Sequence, residues 1–279
     1  MEGKVCLITG ATGGIGRATA LALARKGAEV VLVARSRERG EATREEIARE
    51  AGNSGISLLL ADLASQAQIR HLAGECRRRH DRLHVLINNA GTFTWRRRLT
   101  DDGLETQFAV NHLAPFLLTN LLLELLISSS PARIITVASE SHRHGRLAWE
   151  NLQGEKGYSG LRAYGTSKLA NVLFTRELAR RLAGTGVTAN AVHPGVVATE
   201  ILLGSFPPLR LLKPFMWTPE QGAEPLVHLA ADREGEEVSG RYFARHEQMQ
   251  PAPLARDDEA ARRLWELSEK LTGLENSPV

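Results

Sequence analysis

Seven short, continuously apolar runs separated by stretches of helical periodicity constrain this chain more than any other feature. They lie at Val5 to Ile8, Val30 to Ala34, Ile56 to Ala61, Val85 to Asn88, Ile134 to Ala138, Thr188 to Val192 and Arg241 to Phe243. A strand that is apolar along its whole length is buried on both faces. Strands of this kind alternating with helices join through right-handed crossovers into a parallel sheet. With 279 residues, 43% of them hydrophobic, the chain can bury one large core, so a single α/β domain over residues 1–279 is expected. The predicted architecture is a doubly wound sheet of about seven parallel strands with helices on both faces.

In such sheets ligands bind beyond the carboxyl ends of the strands, where the strand order reverses. After the first run comes Thr9-Gly10-Ala11-Thr12-Gly13-Gly14-Ile15-Gly16, followed by an alanine-rich helical stretch that ends near Gly27. Glycines there let the backbone turn sharply and approach a diphosphate, while the free N–H groups and positive dipole end of the helix attract the anion. The segment predicts a Rossmann-type nucleotide site. Its spacing admits two readings, TGxxxGxG through Gly10, Gly14 and Gly16, or TGxxGxxG through Gly10, Gly13 and Gly16.

The second strand ends at Ala34, where an NAD-specific site usually carries an acidic residue for the ribose hydroxyls. Arg35 follows instead, a guanidinium that can grip a 2'-phosphate through paired hydrogen bonds. NADP(H) is therefore expected, with Arg39 and Arg17 as further cationic candidates. After the third strand, Asp62 can accept from an adenine amino group or cap the helix that begins near Ser65; Leu63 beside it joins the predicted cofactor contacts.

Tyr164 and Lys168 sit four residues apart at the start of a helical pattern, so they share one face. A phenol with a pKa near 10 is a poor base at neutral pH, but a nearby ammonium and a positive nicotinamide favour phenolate. Such a pair can exchange a proton with a substrate oxygen. Ser139, at the end of the fifth run, can donate to the same oxygen, and Asn111 can hold backbone or a water nearby.

Through Thr9 to Gly16, Asn88 to Gly91, Asn111, Ser139, Tyr164 with Lys168, and Pro194 to Thr199, the sequence resembles the short-chain dehydrogenase/reductase family over nearly its whole length. The resemblance implies a catalytic tetrad of Asn111, Ser139, Tyr164 and Lys168. It also implies a cofactor site in which Gly10, Gly14 and Gly16 line the pyrophosphate and Asn89 buttresses them. Val197 and Thr199 would meet the nicotinamide end, Lys168 would hold the nicotinamide ribose beside Tyr164, and Thr12, Gly13, Ile15, Ala90, Gly91, Pro194 and Gly195 complete the set. More narrowly, Asn151 to Lys156, Tyr164 to Leu178 and His193 to Val197 look like the retinol dehydrogenase-like branch, whose substrates are often lipophilic aldehydes, ketones and alcohols. Ser139 stands 25 positions before Tyr164, a longer gap than most of the family has, and the extra residues carry the branch-like segment.

The formal net charge is +3. Basic triplets such as Arg77 to Arg79 and Arg96 to Arg98 have no interleaved aromatics, so nucleic-acid binding is not expected. Only two cysteines occur, which suits a reducing compartment and a cytoplasmic location. The first strand leaves no room for a signal peptide, and Leu113 to Ile127 reads as a buried helix too short to span a bilayer, so no integral membrane segment is expected. His142 and His144 would face opposite ways if extended, and no catalytic metal is predicted. The apolar, proline-marked region 200–218 is a candidate lid over a small, apolar substrate, ending at an N-cap signature Thr218-Pro219-Glu220-Gln221. A homo-oligomer is compatible with these features. Two rival readings are an extended-type enzyme acting on nucleotide sugars, which uses the TGxxGxxG spacing, and a catalytically silent NADP(H) sensor.

Overall fold

A computed structural model describes residues 1–198, 200–205 and 216–274. Its strands are β1 (Val5–Thr9), β2 (Glu29–Ala34), β3 (Ile56–Leu60), β4 (Val85–Asn88), β5 (Ala132–Val137), β6 (Val187–His193), β7 (Tyr242–Ala244) and β8 (Glu247–Met249). They form one sheet in the order β3-β2-β1-β4-β5-β6-β7-β8. The first seven pair in parallel, each within two residues of an apolar run at both ends. The order reverses between β1 and β4, so a crevice opens between the ends of those two strands.

Successive side chains point to opposite faces of a strand, and here both faces are apolar. Val5, Leu7, Val31 and Val33 enter one core with α3 (Gln66–Arg79), α5 (Ala114–Ser128) and α6 (Gly160–Arg181). Cys6, Ile8, Val30 and Leu32 enter the other with α1 (Gly14–Arg25), α2 (Arg37–Ala51) and α8 (Pro219–Ala231). The last helix among the described residues, Asp258–Thr272, docks on α6 through Trp265, whose ring stacks on Phe174 at 5.9 Å and meets Phe116 edge-on at 4.9 Å. Thr218 caps α8 in a full capping box with Gln221, as the sequence signature predicts.

Two features depart from the sequence expectation. The sheet gains an eighth, antiparallel strand, because Arg245 at φ +62° turns the chain back and β8 pairs with β7. All three β8 residues are exposed, so this edge strand has no apolar run to announce it. The apolar helix is also longer than expected. A π turn, Ala109–Leu113, joins α4 (Thr106–Phe108) to α5, giving a 23-residue run from Thr106 to Ser128 that by length and composition alone could cross a membrane. Of its most apolar window, 72% is buried inside the fold.

Candidate active site

A cleft of about 510 Å³ lies over the crevice between β1 and β4. Gly10, Thr12, Gly13, Gly14, Ile15 and Gly16 line one end, and Ser139, Tyr164 and Lys168 the other; Asn89, Ala90, Gly91, Pro194, Gly195 and Val197 lie between. Among the described residues no group of three or more His, Cys, Asp or Glu side chains could hold a metal.

Backbone geometry distinguishes the two glycine spacings. Gly10 and Gly14 adopt φ of +65° and +51°, left-handed values that a side chain disfavours, whereas Gly13 is extended at φ −177°. A Cβ on Gly16 would lie 2.3 Å from the Gly10 carbonyl oxygen and 2.5 Å from Asn89 Nδ2; one on Gly13 would meet only Arg39 Nη2, at 3.9 Å. Gly10, Gly14 and Gly16 are the required set, which matches TGxxxGxG. Asn89 and Thr9 hold the turn in place. Asn89 Nδ2 donates to the Thr9 carbonyl at 2.8 Å and the Gly10 carbonyl at 3.3 Å, and Thr9 Oγ1 accepts from the backbone N–H of Asn89 and Ala90 at 3.0 Å each.

At the other end, Ser139 caps the 3₁₀ turn Glu140–His144, its Oγ accepting from Ser141 N–H at 3.2 Å. A close crossing brings this turn onto α6. A Cβ on Gly165 would lie 2.8 Å from the Ser141 carbonyl oxygen, and one on Gly145 would lie 2.5 Å from that of Gly165. Only glycines let the two segments approach so closely, and that approach puts Ser139 within hydrogen-bond reach of the Tyr164 phenol. Gly160 does the same at the start of α6, where a Cβ would lie 2.3 Å from the Thr94 carbonyl oxygen. Lys168 is buried, and its Nζ donates to the Val137 carbonyl at 2.9 Å.

The electrostatics differ from the sequence expectation. Burial pulls the Lys168 ammonium down to about 8 and pushes the Tyr164 phenol up, with only the hydrogen bond from Ser139 acting to lower the phenol. The ammonium is tied to Val137 and lies 5.7 Å from the Tyr164 ring centroid, so it does not lower the phenol in the protein alone. Tyr164 holds its proton at neutral pH, and Lys168 is poised close to losing one.

Several predicted site residues stand elsewhere. Asn111, in the π turn, does not line the cleft. Its Oδ1 accepts from Thr92 N–H at 2.7 Å, and its Nδ2 donates to the Thr92 carbonyl and to Ser167 Oγ at 3.0 Å each, fastening the segment after β4 to α6. Arg35 and Asp62 also lie outside the lining. Arg35 is exposed. Asp62 Oδ1 accepts from Ala64 N–H at 2.9 Å, while Ser65 is the residue that caps α3. Leu63 packs against the core instead of facing the cleft, as the side chain of an apolar residue beside a helix start is free to do. Arg17 forms ion pairs with Glu46 at 2.6 Å and Glu50 at 3.2 Å. Thr199 and residues 206–215 of the candidate lid lie outside the described residues; the part before them, Glu200–Ser205, is helical (α7). Trp217 anchors the far end, exchanging backbone hydrogen bonds of 3.0 Å with Val196 and Ala198.

The lining includes Arg39, which the sequence offers only as a secondary cationic candidate, and three apolar residues that sequence reasoning missed. Arg39, a turn into α2, reaches the cleft where Arg35 does not, and Phe93, Leu161 and Val196 make an apolar wall. The Phe93 ring meets Tyr164 edge-on at 5.9 Å. Leu161 and Val196 are 55% and 61% exposed, which identifies them as the mouth.

Residues 4–207 match the short chain dehydrogenase family. Human retinol dehydrogenase 14 is 45% identical, the alignment covering 98% of this chain and 88% of that protein. A crystal structure of an uncharacterised protein from Mycobacterium paratuberculosis superposes with a TM-score of 0.83 at 33% identity, covering 100% of this chain and 96% of that one. The NADP active-site complex of RhlG from Pseudomonas aeruginosa gives a TM-score of 0.72 at 26% identity, over 94% and 97% of the two chains. Fold, cleft and matches agree: the chain belongs to the short-chain dehydrogenase family of oxidoreductases, in its retinol dehydrogenase-like branch.

Proposed function

We propose that this chain is an NADP(H)-dependent oxidoreductase that interconverts carbonyl and alcohol groups on a small, lipophilic substrate. The observation that carries the reading is the convergence of Ser139, Tyr164 and Lys168 on one cleft whose opposite end is the glycine turn. The residues present fit the cofactor. The space that a Cβ at Gly16 would fill is already taken by Gly10 and Asn89, so the turn keeps its backbone close to the cleft, as a diphosphate requires. The missing carboxylate at Ala34, the cleft-lining Arg39 guanidinium and the NADP complex of the Pseudomonas protein support the phosphorylated cofactor.

When bound, the nicotinamide supplies or accepts hydride. The protein's part is to orient the substrate and manage charge. Ser139 Oγ donates a hydrogen bond to the substrate oxygen as negative charge grows there, and Tyr164, which holds its proton, gives it up to form the alcohol. Lys168 takes up charge behind the phenol, and Asn111 keeps the wall on which both stand. Oxidation runs these proton steps in reverse. The apolar mouth of Phe93, Leu161 and Val196 favours greasy substrates, consistent with the retinol dehydrogenase relative.

The test is turnover of a panel of retinal, medium-chain aldehydes, steroids, quinones and UDP-sugars with NADPH and NADH. The expected result is reduction of lipophilic carbonyls with kcat/KM for NADPH about tenfold or more above that for NADH, the scale of one charged contact. NADPH binding without turnover on any member would instead favour a sensor, and equal use of both cofactors would remove the NADP(H) assignment.

A further inference from the structure

His142 is buried, 1% exposed, and is bonded at both ring nitrogens. Its Nδ1 lies 2.7 Å from the Ser139 carbonyl oxygen, and its Nε2 accepts from Ala252 N–H at 3.0 Å. An Nε2 that accepts carries no proton, so the ring is neutral with its proton on Nδ1, donating to Ser139. The His142 backbone N–H donates to the same carbonyl at 3.0 Å. Two donors from one residue thus hold the Ser139 carbonyl and fix its ψ, 155°, which orients the Ser139 Cα–Cβ bond, and with it the base of the side chain, relative to that carbonyl.

The other end of this linkage is the C-terminal segment. Ala252 lies far beyond residues 4–207, which carry the family match. The His142 ring packs on Tyr242 of β7 at 4.9 Å, Tyr242 Oη donates to Glu140 at 3.2 Å, and Arg143 Nη2 donates to the Gln250 carbonyl at 3.1 Å. The turn that presents Ser139 is therefore clamped by residues more than a hundred positions later, and one of those clamps passes through an imidazole to the serine itself. Neutral imidazole suits this place because it offers a donor and an acceptor on opposite sides of one rigid ring.

We infer that His142 is a positioning residue for Ser139: its Nδ1–H holds the Ser139 carbonyl at the reacting centre, and the bond from Ala252 N–H fixes the tautomer that makes Nδ1 the donor. The inference rests on the oxidoreductase reading, since Ser139 needs positioning only if it contacts a substrate oxygen. Misplacement of a reacting group by about 1 Å can cost about a hundredfold in rate, so a serine freed of this clamp loses turnover while the distant glycine turn still binds cofactor.

The experiment compares three variants of the full chain. H142N keeps a donor near the Nδ1 position and loses the Nε2 acceptor. H142Q keeps reach to Ala252 and loses the donor to Ser139. H142F loses both. The expected result is a kcat lower by about ten- to a hundredfold in H142Q and H142F, with KM for NADPH held within about twofold. H142N recovers most of the lost turnover although its contact with Ala252 is gone. Equal kcat in H142N and H142Q, or a loss that falls on KM for NADPH, overturns the inference. If H142F does not fold, the asparagine and glutamine variants still decide, because each keeps one of the two links. A competent wild type with indistinguishable variants defeats this inference alone. A wild type that turns over no carbonyl defeats the oxidoreductase reading, and this inference with it.

Discussion

The two ends of the cleft are built in opposite ways. The glycine end is defined by side chains that are missing: Gly10 and Gly14 take left-handed torsions, and Gly16 has a carbonyl oxygen where its Cβ would go. The reacting end is defined by side chains that are present, with a serine, a phenol and an amine at the carboxyl end of β5 and the start of α6. A site made from absence fails sterically when any atom is added. A site made from functional groups fails chemically when one is removed and leaves the fold intact. Binding and chemistry should therefore separate cleanly under mutation.

The largest effect is expected at the reacting end. Tyr164→Phe deletes the transferable proton and keeps the ring against Phe93, so kcat should fall by about 10²- to 10⁴-fold, the usual contribution of a general acid. Stopped-flow and steady-state NADPH consumption check this, and turnover near that of wild type would break the comparison from the chemical side.

Next comes Gly16→Ala. Its methyl would have to displace the Gly10 carbonyl and Asn89, an overpacking that typically costs about 1–3 kcal/mol. The expected result is a lower Tm together with NADPH affinity weakened by about tenfold or more. Gly13→Ala is the internal control: its backbone is extended and its nearest neighbour is the tip of a flexible arginine, so affinity should stay within about threefold. Equal damage at Gly13 and Gly16 would show that the turn is not read by sterics.

The pH dependence sharpens the same contrast. Tyr164 is held above its ordinary pKa by burial, so it stays protonated throughout the neutral range, while Lys168 is held down to about 8. For carbonyl reduction, kcat should be flat at neutral pH and decline as pH rises through about 8, where the lysine loses its charge; NADPH binding at the glycine end should follow this far less. A decline that begins only near the ordinary lysine value would contradict the buried amine. A smaller effect is expected of Arg39→Ala, which should lower kcat/KM for NADPH by about tenfold, a charge-assisted hydrogen bond's worth, and leave NADH use unchanged. Arg35→Ala should do less, because Arg35 stands outside the cleft lining.

These expectations also mark what the amino-acid sequence makes legible. The parallel strands are readable because burial on both faces leaves few polar positions in them, and the glycine turn because φ > 0 and close approach select one residue type. Tyr164 and Lys168 are readable because helical spacing places them on one face. What stays hidden comes from tertiary contact. Arg39 reaches the cleft from a helix, not from a strand end, so strand-end logic places it behind Arg35. Gly145 and Gly165 look unremarkable in sequence, yet they let the Ser139 turn cross α6 at backbone distance. The pKa of Tyr164 depends on burial and on the hydrogen bond with Ser139, neither of which is encoded in the interval between Tyr164 and Lys168. β8 is polar and exposed, and only its pairing with β7 makes it a strand.

The most direct test of the division between the two ends is NADPH binding, followed by fluorescence titration of Tyr164→Phe and Gly16→Ala side by side with wild type. The account predicts that Tyr164→Phe binds NADPH as wild type does while failing to pass hydride onward, and that Gly16→Ala binds weakly. Weak binding in Tyr164→Phe with intact binding in Gly16→Ala would contradict it.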